Sequence, residues 1–360
     1  MNDTLTFPEA IFCDFFWIIA FLICLPSLKR HSAYGRYFFL WLFIAIYSTF
    51  EFTGGDFYNY LSIYHQNLSS RYESIHIEYI YYWLINNLPH NYFIWRFAVW
   101  GLAGLFWILT VKNLHQPPQF AGLIFLLIVF FLFVGARQAL CFSVLYFALS
   151  VLFKKDKPSA ISITIFTSLI ICSYFLHKTA IVYILLMLIA FLPLGKKTLI
   201  LSLILFPVLY KIFDLIAFSF ISEYSAFNEE SSESMERYME GESQGANING
   251  ILRLTIDRLP IFLLLLFSIW KIHFKKESVP KIYSILLSMS YIMIYISYLF
   301  VGRDISKFIA PRFWDAALFP LTLFITGYMY NKRTTLFFKI CIYLLLLSKF
   351  YTFAYTIYKL

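Results

Sequence analysis

The chain has 360 residues, of which 61% are hydrophobic and only 14% charged, with a net charge of +9 and a mean hydropathy of +0.72. Soluble globular domains carry about 25% charged residues, so the composition excludes a water-soluble fold and leaves no room for a soluble domain of useful size. In a soluble protein the positive excess would raise a nucleic-acid partner. Here the basic residues sit in short connections between apolar segments, a pattern that sets membrane topology and would also suit an anionic lipid-attached ligand.

Taken in order, the chain reads as an all-α polytopic membrane protein forming one integral membrane domain over 1–360. An apolar stretch of about 20 residues is the spanning unit, and about twelve such stretches are predicted: 11–28, 37–52, 92–111, 119–135, 139–153, 159–176, 179–194, 198–221, 260–272, 281–301, 313–330 and 336–358. Met1–Glu9 has acidic residues but no Lys or Arg, so 11–28 reads as a retained first span and not a cleaved signal. The pairs meeting at 135–139 and 176–179 have almost no loop between them, which predicts tight hairpins or broken helices lining a cavity. The five cysteines, Cys13, Cys24, Cys141, Cys172 and Cys341, are scattered inside apolar segments. They read as small buried hydrophobes, with no metal-ligand spacing.

Lysine and arginine divide the connections into two sets. One set carries Lys29-Arg30, Arg36, Lys112, Lys154-Lys155, Lys157, Lys196-Lys197, Lys271, Lys275, Lys276, Lys281, Lys332-Arg333 and Lys339, and the positive-inside rule makes it cytoplasmic. The outer set then holds two large loops, 53–91 and 222–259, and a third at 302–312. Basic residues on this outer side are mostly arginine: Arg71, Arg137, Arg237, Arg253, Arg258, Arg303 and Arg312. Topology alone does not favour arginine there. The guanidinium fork suits phosphate or carboxylate, with pairing to outer carboxylates or lipid headgroups as the plainer explanation.

The first outer loop opens with Phe50 to Tyr64, where Gly54-Gly55 allows a sharp turn as the chain leaves a span. Asp56 follows among Tyr58, Tyr60 and Tyr64, rings suited to headgroup depth and to stacking on sugars. Ser70-Arg71-Tyr72-Glu73 is a capping-box pattern; a tyrosine-rich interfacial helix is predicted after it, through Ile75, Tyr79, Tyr82 and Trp83, ending near Pro89. The second outer loop has seven glutamates against one arginine between Glu223 and Glu242, which predicts a solvated acidic segment, with a lid as the sharper reading. Arg137-Gln138 and His177-Lys178 each lie between strongly apolar segments, where ionisable groups are functional candidates. A snorkelling arginine and a satisfied polar histidine are the structural alternatives.

Several of these strings together carry a family resemblance. Gly54-Gly55-Asp56-Phe57-Tyr58-Asn59-Tyr60 resembles the opening motif of EpsG-like polymerases, of the broad Wzy class of O-antigen, capsule and exopolysaccharide polymerases. Glu78 in Ile77-Glu78-Tyr79-Ile80-Tyr81, Gly135-Ala136-Arg137-Gln138-Ala139, Phe175-Leu176-His177-Lys178-Thr179-Ala180 and, more loosely, Arg312-Phe313-Trp314 resemble later motifs of that family in the same order. Two departures stand out: Glu51-Phe52 occupies the place where an arginine commonly precedes the glycine motif, and Lys178 is unusual beside the histidine. The resemblance implies a GT-C-like, inverting membrane glycosyltransferase of the bacterial inner membrane with its site facing the periplasm. Its donor and acceptor would be undecaprenyl-diphosphate-linked glycans, a chain-length co-polymerase would be a candidate partner, and neither a metal nor another cofactor would be needed. Arg137 and Arg312 would then meet the diphosphate, assisted by Arg253, Arg258 or Arg303, while Asp56, Glu78 and His177 are candidates to orient or deprotonate the acceptor hydroxyl, Asp56 first. Tyr58, Tyr60, Arg71, Gln138 and Lys178 complete the expected substrate contacts. An O-antigen ligase or other lipid-glycan transferase, or a flippase for the same lipid-linked units, is the alternative reading.

Overall fold

The computed structural model describes residues 33–50, 78–117, 136–154, 158–192, 194–227, 248–300 and 306–331, with isolated positions around 61–65, at 121 and between 336 and 347. The described residues are helical, with no strand among them. The helices are α1 Ala33–Phe50, α2 Tyr79–Asn87, α3 Tyr92–Asn113, α4 Ala136–Leu152, α5 Ala160–Leu176, α6 Ala180–Ala190, α7 Lys196–Phe227, α8 Ile248–Ile269, α9 Lys281–Phe300 and α10 Ser306–Asn331, with a π-helical turn Trp270–Phe274 closing α8. The predicted span 11–28 lies outside the described residues, as do 119–135 apart from Ala121, most of 336–358 and residues 228–247.

Local chemistry explains several boundaries. Asn91 caps α3 by accepting the Phe93 and Ile94 N–H groups at 2.9 and 3.4 Å, satisfying donors that the helix leaves orphaned. Ser159 and Ser162 form a reciprocal capping box at the start of α5. That helix stops at Leu176, where His177 turns extended (φ −161°, ψ 118°), and α6 starts at Ala180, so the junction at 176–179 is a tight hairpin. Two stretches predicted as loop are helical instead. Helix α8 begins at Ile248 and not near 260, because its first half is polar and escapes a hydropathy reading. Helix α10 begins at Ser306, so Arg312 lies within a helix.

Helix α9 packs along α10, α4 along both α3 and α5, and α1 along α3. Their common core is aromatic. The Phe319 ring lies 5.2 Å from Phe142, 6.5 Å from Tyr146 and 5.9 Å from Trp107. Five Ser and Thr hydroxyls inside the bundle are satisfied within their own helices: Thr110, Ser268, Ser290, Thr322 and Thr326 each donate to the carbonyl four residues back. That arrangement suits a medium that cannot hydrogen-bond. The described outer surface also carries many large apolar side chains. Of the 17 residues of α5, only Ser173 and Leu176 are buried, and Ile161 and Phe175 are 73% and 66% exposed. Cys172 shares that face and is exposed, unlike the buried Cys141 and Cys341, because α5 turns most of its sides away from the protein. A surface of this kind needs lipid to cover it. By length and composition α3 and α9 are long and apolar enough to cross a membrane, while α4, α5 and α6 are shorter apolar helices.

Side-chain contacts mark the two ends of the bundle. Gln116, beyond α3, donates to the Leu323 carbonyl near the end of α10 at 2.7 Å, Asn113 reaches Ser150, and Lys281 lies over the Phe153 ring. These contacts define one end of the bundle. The other end gathers Glu78, Arg137, His177, Arg258 and Trp314.

Candidate functional site

Glu78 stands at the N-cap of α2 with extended backbone (φ −63°, ψ 138°), but its side chain does not cap that helix. The carboxylate turns instead toward two other segments. Arg137, the second residue of α4, donates from Nη1 to Oε2 at 2.6 Å. His177, at the hairpin between α5 and α6, meets Oε1 through Nδ1 at 2.8 Å. The partners lie 59 and 99 positions away along the chain. All three side chains are largely buried, at 10% exposure for Glu78, 17% for Arg137 and 21% for His177.

Burial by itself would raise the Glu78 carboxyl. The His177 hydrogen bond and the Arg137 charge outweigh it and hold the group at about 2, so it is an anion at neutral pH. An ionised carboxylate only accepts hydrogen bonds. Nδ1 of His177 must therefore carry a proton, and in the neutral ring Nε2 is left as the basic nitrogen. A carboxylate fixing an imidazole tautomer is the arrangement that makes histidine a general base.

The cluster rests on an aromatic floor. Tyr81, fully buried, donates its hydroxyl to the Arg137 carbonyl at 3.4 Å, and its ring lies 5.9 Å from the guanidinium. Behind it the Trp95, Tyr92 and Tyr64 rings pack together. Tyr81 and Ile85 face inward from α2 while Tyr79 and Trp83 face out, 72% and 50% exposed. A helix is present over Tyr79–Asn87 in the first of the predicted outer loops, its end set by the extended residue Leu88 before Pro89; the capping-box stretch 70–73 and Ile75 lie outside the described residues.

Gln138 links the cluster to a second group of charges, donating from Nε2 to the Tyr183 hydroxyl at 3.2 Å. The Tyr183 ring packs on Phe313, and the charge of the exposed Arg312 reaches its phenol. One residue further along α10, Trp314 lies under Arg258, whose guanidinium carbon is 4.9 Å from the ring. Asp315, beside that arginine, faces its charge from a largely buried position. The structure therefore joins Glu78, Arg137 and His177 directly, and brings Gln138, Arg258 and Arg312 alongside. Lys178 is exposed on the hairpin and takes no part in these contacts. Arg253 lies on the first half of α8, where side chains are outside the description, and Asp56, Tyr58, Tyr60, Arg71 and Arg303 fall outside the described residues. Among the described residues no group of three or more His, Cys, Asp or Glu side chains could hold a metal ion.

Sequence reasoning missed Arg96. It lies inside α3 at 5% exposure and donates to the Ser48 carbonyl at 2.6 Å, the Thr49 carbonyl at 3.0 Å and the Tyr92 hydroxyl at 3.4 Å. Its guanidinium thus donates to two carbonyls in the last turn of α1, just before Glu51-Phe52 and the glycine string. A lone charge inside an otherwise apolar run was the available signal.

A helical protein with an apolar outer face and a buried Glu–Arg–His cluster at one end of the bundle belongs among membrane proteins. The EpsG family model matches residues 36–359, nearly the whole chain. The chain is a member of the EpsG family, a polysaccharide-related group of membrane proteins. No curated protein and no solved structure matches it significantly.

Proposed function

We propose that this chain is a Wzy-type polymerase, an inverting glycosyltransferase that joins undecaprenyl-diphosphate-linked repeat units at the periplasmic face of the bacterial inner membrane. The proposal includes about twelve spans in a GT-C-like architecture. Family membership supports the substrate class. The observation that carries the reading is the meeting of Glu78, Arg137 and His177 from three separate segments.

The acceptor hydroxyl oxygen attacks the anomeric carbon of the donor, and the bond from that carbon to the diphosphate oxygen breaks with inversion. The diphosphate leaves with the bonding electron pair, and the hydroxyl proton passes to Nε2 of His177. Glu78 holds the imidazole and stabilises the imidazolium that forms, while Arg137 anchors Glu78. Negative charge developing on the diphosphate falls to Arg312 and Arg258, whose forks suit phosphate oxygens in a partly dehydrated site; Arg137, Arg253 and Arg303 assist. Tyr58 and Tyr60 keep the sugar-stacking role read from the sequence, Arg71 remains a substrate contact, and Asp56 helps to orient the acceptor hydroxyl. The sequence alone ranked Asp56 first as base, and the pairing with Glu78 moves that role to His177.

The test is a surface-glycan gel from the producing strain with the gene deleted, complemented by wild type, His177→Gln or Arg137→Lys. Loss of the long ladder with single-unit product retained supports a polymerase. Loss of single units as well overturns it in favour of a flippase or ligase. General-base removal should lower the rate about 10²–10⁴-fold. Arg137→Lys should lose most activity, because a point charge does not replace a fork; near-wild-type ladders from both variants would sink the site assignment.

A further inference from the structure

The end of the bundle opposite the Glu78 cluster carries a different chemistry. The π-helical turn Trp270–Phe274 is closed by the Lys275 N–H donating to the Trp270 carbonyl at 3.0 Å. Such widened turns are rare and concentrate at functional positions. This one leaves the Trp270 and Phe274 rings 43% and 39% exposed, with two lysine ammonium groups against Trp270 and one against Phe274. Lys275 lies 5.2 Å from the Trp270 ring centre, Lys271 lies 5.7 Å from both Trp270 and Phe267, and Lys196 of α7 lies 5.3 Å from Phe274. Lys281 sits 5.8 Å from Phe153. Lys276, the next residue, takes a left-handed conformation (φ 55°), uncommon for a side chain of this size.

None of Lys196, Lys271, Lys275 and Lys281 forms an ion pair with a described carboxylate. Glu277, the carboxylate in this loop, accepts a hydrogen bond from the Tyr328 hydroxyl at 2.8 Å. Two ordinary explanations cover part of the pattern. Lys271 and Lys275 lie at the C-terminal end of α8, where the helix dipole favours cations. Lys196 and Lys281, however, open α7 and α9, where the dipole disfavours them. The positive-inside rule accounts for lysines at this end, but not for their collection on half-exposed rings.

We propose that Lys196, Lys271 and Lys275, with the Trp270 and Phe274 rings, form a binding surface for the phosphate headgroup of an anionic phospholipid in the adjacent leaflet. The lysines meet the phosphate, and the rings lie at the boundary between headgroups and acyl chains, where amphipathic aromatics belong. Anionic headgroups supply the counter-charge that no described carboxylate gives these lysines.

The test uses the full chain released from mixed phosphatidylglycerol and phosphatidylcholine micelles, with retained lipid counted by native mass spectrometry. Wild type should retain phosphatidylglycerol in preference to phosphatidylcholine. Each lysine should contribute about five-fold to that preference, so Lys196→Gln, Lys271→Gln and Lys275→Gln together should lower it about 100-fold. Trp270→Leu keeps every charge, and hence the topology, and should lower it about two- to five-fold; it decides the matter should the triple variant fail to fold. Lys154→Gln, an exposed lysine at the same end, should leave the preference unchanged. Retention by Trp270→Leu equal to wild type overturns the proposal. So does a loss in Lys154→Gln as large as that in Lys271→Gln, which would mean diffuse charge only. Displacement of the lipid by millimolar inorganic pyrophosphate would assign the surface to a soluble phosphate ligand instead and likewise overturn it.

Discussion

Glu78 is held as an anion by two partners, and that gives the cluster a defined dependence on pH. Its carboxyl lies at about 2 in the folded protein, below the ordinary 4.5. A depressed folded value means that the stabilisation is fully present above the unfolded value and is lost as pH falls through the folded one. The melting-temperature difference between wild type and Glu78→Gln should therefore be constant above about pH 5.5 and shrink steadily toward pH 2. A difference that does not change with pH across this range would show that the carboxylate charge contributes nothing to the fold. Arg96 allows a second test at the same scale. Arg96→Met keeps the apolar stem but leaves the Ser48 and Thr49 carbonyls without their donor in an apolar setting. The expected destabilisation is about 2–4 kcal/mol, seen as a lowered melting temperature in detergent; an unchanged value would mean that water takes the place of the guanidinium.

At the scale of elements, packing between α9 and α10 turns on one glycine. A methyl group on Gly327 would overlap the ring of Tyr283, which is buried and donates from its hydroxyl to the Leu114 carbonyl at 3.4 Å. Gly327→Ala should destabilise by about 1–3 kcal/mol, with partial recovery on adding Tyr283→Leu. A chemical-denaturation series on the two variants measures it, and a neutral Gly327→Ala would show that α9 and α10 separate freely. The same pair of helices shows how far the sequence could be read. The spans 281–301 and 159–176 match α9 and α5 closely because hydropathy and a capping serine mark the same limits. Helix α8 starts well before the predicted 260–272 because Arg253, Asp257 and Arg258 are polar enough to resemble a loop, although the helix continues through them. The motif residues Glu78, Arg137 and His177 were all legible as candidates. Their partnership was not, since nothing in a linear pattern shows that positions 99 apart share a hydrogen bond. Arg96 escaped because one charge barely alters the hydropathy of a 22-residue helix.

For the molecule as a whole, the two ends of the bundle differ in chemistry as well as in position. Lys196, Lys271, Lys275 and Lys281 share one end, while Arg137, Arg258 and Arg312 stand at the other with Glu78 and His177. Successive helices carry the chain from one end to the other, as α5, α6 and α7 do from Ser159 to the His177 hairpin, back to Lys196, and out again. The positive-inside rule would make the lysine end cytoplasmic, and under the proposed function the arginine end would meet the ligands. It predicts that a reporter active only in the periplasm will be active when fused near Ser231 and silent near Lys275. The proposed chemistry depends on that outcome, since the lipid-linked donor and acceptor assigned to the arginine end lie outside the cytoplasm. The reverse pattern, with activity near Lys275, would place the Glu78 cluster on the cytoplasmic side and remove its assigned substrates, whatever the geometry of the cluster.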